Sequence, residues 1–428
     1  MSNAFDILKE RGFIYQVTDE ENLRKHLNRS SKFYIGFDPT ADSLHVGSLE
    51  PIMAMVHMQR QGHVPIVVVG GGTGMIGDPS GKTEARKLLS DDKLKENKLG
   101  IKNQLAHYLD FEDDRAIMVD NAEWLVSLNY IEFLRDIGVN FSVNRMLTTE
   151  SIKLRLESTS GLSFLEFNYQ LLQAYDFYIL ARDRDCLVQM GGQDQWGNIV
   201  AGIDLIRRKL GKQAYGATFP LLLNSSGTKF GKTEAGTIWL DKKRTSPYEL
   251  YQFFRNMDDR DLKRNLSLFT LLPMEEVNRL SSLEGNAINR AKEILGFEVV
   301  CMCHGEESAR EAYAASIEQF GPADPNGTVA TSSRIVSSGI RQGEQGLPAT
   351  KIAEVALNGS GKPLTELLVD TGLCKSKSEA RRLIRSNSVA VNQEKIRDEM
   401  RTVTMSDVIG GRILISVGKK RLHRVIPV

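Results

Sequence analysis

Two short segments carry residue types suited to handling a phosphate. Asp38-Pro39-Thr40-Ala41-Asp42-Ser43-Leu44-His45-Val46-Gly47 follows a strand-like run, Phe33-Tyr34-Ile35-Gly36-Phe37, and leads into a helix predicted over Leu49 to Gln61. Lys229-Phe230-Gly231-Lys232-Thr233 is a cationic segment hinged on glycine. An imidazole near a helix amino end donates to phosphate oxygens where backbone N–H groups also point. Thr40 adds a short hydroxyl donor. Lys229 and Lys232 swing on glycine toward charge that grows in a transition state. The two segments together suit a site that holds a triphosphate and releases part of it.

The elements that position these residues read as α/β. Val64-Pro65-Ile66-Val67-Val68-Val69 is a β-branched run ending in Gly70-Gly71-Gly72, the pattern of a buried parallel strand. Leu187-Val188-Gln189-Met190 before Gly191-Gly192 is a second. Strands alternating with helices predict a Rossmann-like, doubly wound parallel sheet over residues 1–220, with ligands beyond the carboxyl ends of the strands. Residues 221–320 read as an α-helical domain, with helices over Tyr248–Asn256, Met274–Ser282 and Ala287–Val300. Residues 321–355 are Pro-, Gly- and Ser-rich and read as a linker. Residues 356–428 read as a small α+β domain, with a helix near Ser378–Ser386 and strands near Val389–Val391 and Arg412–Val417.

Two glycine loops imitate other nucleotide sites. Gly72-Thr73-Gly74-Met75-Ile76-Gly77 has the dinucleotide spacing, but the acidic residues that follow (Asp91, Asp92, Glu96) sit in a charged run and not at a strand end. Both Gly77-Asp78-Pro79-Ser80-Gly81-Lys82-Thr83 and Gly227-Thr228-Lys229-Phe230-Gly231-Lys232-Thr233 are one residue short of a P-loop. A nest of amide donors has a fixed size, so the missing residue excludes that reading.

The run Phe164 to Tyr178 is predicted as one helix, with Phe167, Leu171, Ala174 and Tyr178 on one face and Tyr169, Gln173 and Asp176 on the other. No Lys or Arg occurs from Leu162 to Ala181, so both faces are expected to be buried. Buried polar groups need partners. A Tyr/Gln/Asp row over a cleft suits a small ligand with an amine and a phenol or alcohol, and Tyr34 is within reach of the same ligand.

At 428 residues, 41% apolar and 25% charged, the chain fits two or three ordinary globular domains. No window of about 18 uncharged apolar residues suggests a membrane span, and the start lacks the regions of a secretory signal. Cys186, Cys301, Cys303 and Cys374 read as reduced thiols, which points to the cytoplasm; no metal site is expected. The net charge of +1 hides an asymmetry: from Lys362 onward, 14 basic minus 7 acidic residues give +7, leaving 41 minus 47, or −6, for the rest. A basic end domain on an acidic body points to a polyanionic partner.

The chain resembles the bacterial tyrosyl-tRNA synthetases over nearly its full length. The resemblance is carried by residues 34–47 and 70–82, Phe-Ser-Val-Asn at 141–144, residues 167–177, Gly-Gly-Gln-Asp-Gln-Trp-Gly-Asn at 191–198, and Lys-Phe-Gly-Lys-Thr at 229–233. Ser378-Glu379-Ala380-Arg381-Arg382-Leu383-Ile384 is similar to part of an S4 RNA-binding domain.

The resemblance implies tyrosine activation by ATP with Mg²⁺, then transfer to tRNA(Tyr), by a cytoplasmic homodimer whose interface lies in an insertion near residues 115–165. It implies phenol contacts from Tyr34 and Asp176, and α-ammonium contacts from Asp78, Tyr169 and Gln173. Gln195 would lie near the carboxylate, with Gly192 and Asp194 near the ribose. Gly36, Asp38, Gly47, Ser48, Lys82 and Arg86 are the other expected ATP contacts, and Thr40, His45, Lys229, Lys232 and Thr233 the expected catalytic set. The helical domain would read the anticodon, and Arg381, Arg382 and Arg385 would face tRNA. Position 48 departs from the usual histidine, so weaker ATP affinity is expected than with an imidazole there. The competing reading is a non-catalytic RNA-binding or splicing-accessory protein on the same fold.

Overall fold

The computed structural model describes residues 3–78, 80, 90–157, 161–233, 236–336, 347–418 and 421–428. They form two compact units, Met1–Thr245 with Asp258–Leu283, and Ser246–Met257 with Glu284–Val428.

The first unit is built on a six-stranded sheet of β1 (Gln16–Val17), β2 (Lys32–Phe37), β3 (Val64–Val69), β4 (Ile117–Asp120), β5 (Cys186–Gly192) and β6 (Tyr215–Phe219), in the order β1-β6-β5-β2-β3-β4. All neighbours are parallel except β1, which runs antiparallel to β6 at one edge. The Val/Ile run of β3 is buried from Pro65 to Val69, as its flanking by β2 and β4 requires. From β2 the chain winds outward through β3 and β4; from β5 it winds the opposite way to β6. The order therefore reverses between β2 and β5, and a crevice opens beyond their carboxyl ends, at Asp38 and Gly192. The α/β parallel sheet expected from the sequence is present.

Helices Leu49–Arg60, Tyr169–Arg184 and Trp196–Leu210 pack on this sheet. The last two approach so closely that a Cβ on Gly202 would lie 2.9 Å from a Phe177 ring carbon. The single helix expected over Phe164–Tyr178 is instead two, Phe164–Phe167 and Tyr169–Arg184. The Asn168 side chain donates to the Phe164 carbonyl at 2.7 Å, competing with the backbone ladder at the junction. The burial of both faces of the longer helix is as expected.

The helical stretch expected as one block divides between the two units. Helices Leu262–Phe269 and Met274–Ser281 belong to the first. The reason is Arg11, which is buried and donates to the carbonyls of Ser267, Thr270 and Leu272 at 2.9, 3.0 and 2.6 Å. It satisfies carbonyls that the end of a helix leaves without partners.

In the second unit, helices Pro247–Arg255, Ile288–His304 and Glu306–Phe320 surround a buried Arg290–Glu293 ion pair at 3.0 Å. Residues 321–335, read from sequence as linker, are fastened to helix Ile288–His304. Ala323 N–H donates to Glu293, Ser333 Oγ to Glu298, and Arg290 to the Ile335 carbonyl. A five-stranded sheet follows, in the order Glu394–Ile396, Val389–Val391, Ile413–Val417, Arg421–Pro427, Ala349–Ile352. Helices Leu364–Asp370 and Lys377–Arg385 share its core through Leu364, Leu367, Ala380 and Ile384. Among the described residues, no helix is long and apolar enough to cross a membrane.

Candidate active site

The crevice between β2 and β5 contains a cavity of about 240 Å³. That lies below the roughly 300 Å³ floor of drug-sized sites and suits one small ligand. Tyr34, Gly36, Asp38, Asp78, Tyr169, Gln173, Asp176, Gly192 and Gln195 all line it, so nine of the residues singled out in the sequence converge there.

One group of lining residues has hydrogen-bonding capacity left over. Tyr34 is held edge-on to Phe177 at 5.3 Å between ring centroids, and its hydroxyl is buried with no protein partner. Gln189 Oε1, from β5, is likewise buried and unpaired. Asp176 is 3% exposed; its Oδ1 accepts from Trp124 Nε1 at 2.7 Å and its Oδ2 from Asn121 Nδ2 at 2.9 Å. Unpaired buried groups of this kind cost about 1–3 kcal/mol each until something pairs with them. A ligand hydroxyl, which both donates and accepts, matches a set of one phenol, one amide oxygen and one carboxyl.

The remaining polar residues of the cavity form a network of acceptors. Asp78 accepts from Gln195 Nε2 at 2.7 Å and from Ser80 N–H at 2.8 Å. Asn198 Nδ2 donates to Gln173 Oε1 at 2.9 Å and Gln195 Oε1 at 3.2 Å, and Tyr169 Oη donates to Asp38 at 3.3 Å. A buried carboxylate with oriented amide and phenol oxygens suits an ammonium group.

The glycine-rich loop after β3 has a structural use that its sequence conceals. Asn121, just past β4, accepts from Gly72 N–H at 2.8 Å while donating to Thr73 Oγ1 at 3.0 Å and to Asp176. A Cβ on Gly70 would fall 2.7 Å from Asp38 Oδ1, and one on Gly71 2.0 Å from Asp120 Oδ1. The glycines let side chains from two strand ends approach the loop backbone. Sequence reasoning missed Asn121, Trp124 and Gln189. The signal available was position, since Asn121 stands at the carboxyl end of a parallel strand.

His45 and the lysine segment lie side by side. Val46 N–H donates to the Ile238 carbonyl at 3.0 Å, Ile238 N–H to Gly231 at 3.0 Å, and Leu240 N–H to Leu44 at 2.9 Å. Gly231 has φ +81°, and a Cβ there would meet Val46 Cγ2 at 2.4 Å, so only glycine fits against the histidine turn. Lys232 opens a two-stranded hairpin, Lys232–Thr233 with Gly236–Thr237, and is exposed, as is Lys229. Gly47 N–H donates to His45 Nδ1 at 3.0 Å, which leaves Nε2 to carry the proton. Desolvation, then the Lys232 ammonium, hold the imidazole below the ordinary histidine pKa, so it is neutral near neutral pH. Thr40 is exposed on the same turn, and Ser48 begins helix Leu49–Arg60 with its hydroxyl making no cap bond.

Not every expected residue joins this site. Asp194 and Lys229 line a second, wider groove of about 610 Å³. Lys82 and Arg86 lie outside the described residues. Arg381, Arg382 and Arg385 are exposed on helix Lys377–Arg385 of the other unit, and Arg385 pairs with Glu399.

Burial raises the Asp176 pKa from 3.8 to about 7, opposed by the Asn121 and Trp124 donors and reinforced by Asp38. The folded protein therefore holds a proton there that the unfolded chain has lost. This group's contribution to stability falls as pH rises from about 4 to about 7, by on the order of a few kcal/mol. Urea unfolding should show Asp176→Asn gaining on the wild type between about pH 5 and pH 7.5. Parallel curves would mean that the carboxylate is ionised throughout.

Comparison with known proteins gives consistent matches. Residues 25–321 match the model of tRNA synthetases class I (W and Y), and residues 339–425 that of the tyrosine–tRNA ligase SYY-like C-terminal domain. A tyrosine–tRNA ligase of Clostridium botulinum is 52% identical over 427 residues, covering 100% of both chains. One from Clostridium tetani is 50% identical, covering 99% of both. The crystal structure of a C-terminally truncated Aspergillus nidulans mitochondrial tyrosyl-tRNA synthetase superposes with a TM-score of 0.67 at 30% identity, over 74% of this chain and 94% of that one.

Proposed function

The chain belongs to the class I tRNA synthetases, among the tyrosine–tRNA ligases, and charges tRNA with tyrosine; from that premise we propose how its residues divide the work. The observation that carries the reading is the buried, unpaired Tyr34 hydroxyl in one cavity with Asp176. These two bind the substrate phenol. A phenylalanine ring would leave the Tyr34 hydroxyl without a partner and the capacity left on Asp176 unused, and the cost of that falls on binding and on the transition state alike. Asp78, Tyr169 and Gln173 hold the α-ammonium, and Gln195 stands near the carboxylate.

ATP enters as its magnesium complex. The cation would travel with the phosphates, and its charge would offset theirs. Gly36, Asp38, Gly47, Ser48, Gly192 and Asp194 receive the nucleoside and Lys82 and Arg86 assist. Thr40 and the Nε2–H of His45 donate to phosphate oxygens. The tyrosine carboxylate attacks the α-phosphate, the α–β bridge oxygen leaves with pyrophosphate, and Lys229 and Lys232, in one loop with Thr233, neutralise charge as it develops. A terminal ribose hydroxyl of tRNA(Tyr) then attacks the adenylate carbonyl and AMP leaves. No side chain forms a bond to substrate; positioning and electrostatics do the work.

Helices within residues 221–320 read the anticodon, and the S4-like region of 356–428 grips the RNA backbone. The enzyme works as a cytoplasmic homodimer. Of the twenty large apolar residues exposed among the described residues, ten lie between Val126 and Leu165, which supports an interface in that stretch.

Pyrophosphate exchange into ATP should require tyrosine. Alanine at Lys229 or Lys232 should lower the exchange kcat by about 10²–10³-fold with tyrosine affinity nearly unchanged. Equal losses in both constants would refute the assignment. Arg381→Gln combined with Arg382→Gln should leave exchange intact, raise the KM for tRNA and reduce the salt slope of tRNA binding by about two. An unchanged salt slope would remove this helix from the RNA interface.

A further inference from the structure

Beyond the lysine hairpin the chain turns back along the histidine turn, and the contacts there serve no role so far described. Four rungs join the two segments. Val46 N–H donates to the Ile238 carbonyl and Leu240 N–H to the Leu44 carbonyl, at 3.0 and 2.9 Å. Asp241 N–H donates to Ser43 Oγ at 3.3 Å, and Arg244 Nη1 to Asp42 Oδ1 at 2.7 Å. The Arg244 guanidinium also lies over the Trp239 ring, 3.5 Å from its centroid, and Trp239 stands edge-on to His45 with centroids 6.3 Å apart. Between Trp239 and Arg244 the backbone closes a tight turn. Trp239 N–H donates to Thr245 Oγ1 at 2.9 Å, and Arg244 and Thr245 N–H both donate to the Asp241 carbonyl, at 2.9 and 3.0 Å.

We infer that Arg244 is a positioning residue for the activation step: stacked on Trp239 and paired with Asp42, it latches the return strand of the lysine hairpin onto the histidine turn. This rests on the assignment of His45 and Lys232 to the ATP phosphates. An ion pair this exposed stabilises little on its own, since the Arg244 and Asp42 side chains are 35% and 43% exposed. Its weight here is geometric. The guanidinium uses its edge on a carboxylate and its face on an indole at once, which a planar, delocalised cation does and a point charge does not. Trp239 lies seven residues beyond Lys232 and against the His45 ring, so the latch fixes the hairpin where it meets the phosphate-binding turn. Opposite the latch, the turn is held by helix Asp91–Leu105, through Asn97 to the Pro39 carbonyl and Gln104 to Leu44 N–H and Ser43 Oγ. With the turn fixed from that side, loosening the latch moves the lysines.

The test is steady-state pyrophosphate exchange with Arg244→Gln, Arg244→Lys and, as control, Lys232→Ala, with the melting temperature of each. Arg244→Gln should lower kcat about tenfold, keep the tyrosine KM within about twofold and leave the melting temperature near that of the wild type. Arg244→Lys, which keeps the charge and loses the planar face, should recover only part of the rate. A wild-type kcat for Arg244→Gln beside a slow Lys232→Ala would overturn the latch while leaving the phosphate assignment standing. A wild-type kcat for Lys232→Ala would overturn that assignment itself. A fall in kcat matched by a rise in tyrosine KM and a lower melting temperature would make Arg244 a structural residue only.

Discussion

Burying one carboxyl group organises this active site. Asp176 sits inside the cavity with its pKa raised, and the fold answers with two donors, Asn121 and Trp124. Asn121 in turn holds the glycine loop after β3, whose Gly70 admits Asp38 and whose Thr73 it also binds. The ends of β3 and β4 thus meet through the hydrogen bonds that make a buried acid tolerable, and Gly70 lets the end of β2 approach them. The cost of that burial is met fully only when a ligand hydroxyl pairs with the groups still open, and on the proposed assignment the selectivity for tyrosine follows from the same source.

A second constraint governs the other end of the site. On the proposed assignment a histidine turn and a lysine hairpin, nearly two hundred residues apart in sequence, have to face one substrate. Gly231 makes the contact possible by accepting a positive φ against Val46, and the rungs from Val46 to Asp42 keep the two in register. Lys229 and Lys232 remain exposed while the backbone beneath them is pinned. That combination suits groups that must reorient around a charge forming and departing, on a base that does not move.

The sequence made the catalytic half legible because its signals are local. The β-branched run of β3, the uncharged polar row Tyr169, Gln173, Asp176 and the two signature segments each declare themselves within a dozen residues, and the structure brings most of them to one cavity. What could not be read depends on distant partners. Asn121 and Trp124 lie in Asp120-Asn121-Ala122-Glu123-Trp124, which looks like an ordinary turn until Asp176 is placed beside it. The grouping of Leu262–Phe269 with the first unit hangs on Arg11, 256 residues from Ser267. The stretch 321–335 has the composition of a linker, and its attachment to helix Ile288–His304 uses side chains of that helix. The glycine loop at residues 70–77 showed nucleotide-like spacing, yet Gly70 and Gly71 are small to admit Asp38 and Asp120.

The most direct test of the account is the ratio of kcat/KM for tyrosine over phenylalanine in pyrophosphate exchange, measured for the wild type, Tyr34→Phe and Asp176→Asn. If buried groups awaiting a hydroxyl set the selectivity, both variants lose activity toward tyrosine and discriminate less, with Asp176→Asn the more affected. An unchanged ratio in both variants would mean that the phenol is recognised elsewhere and would contradict the central claim.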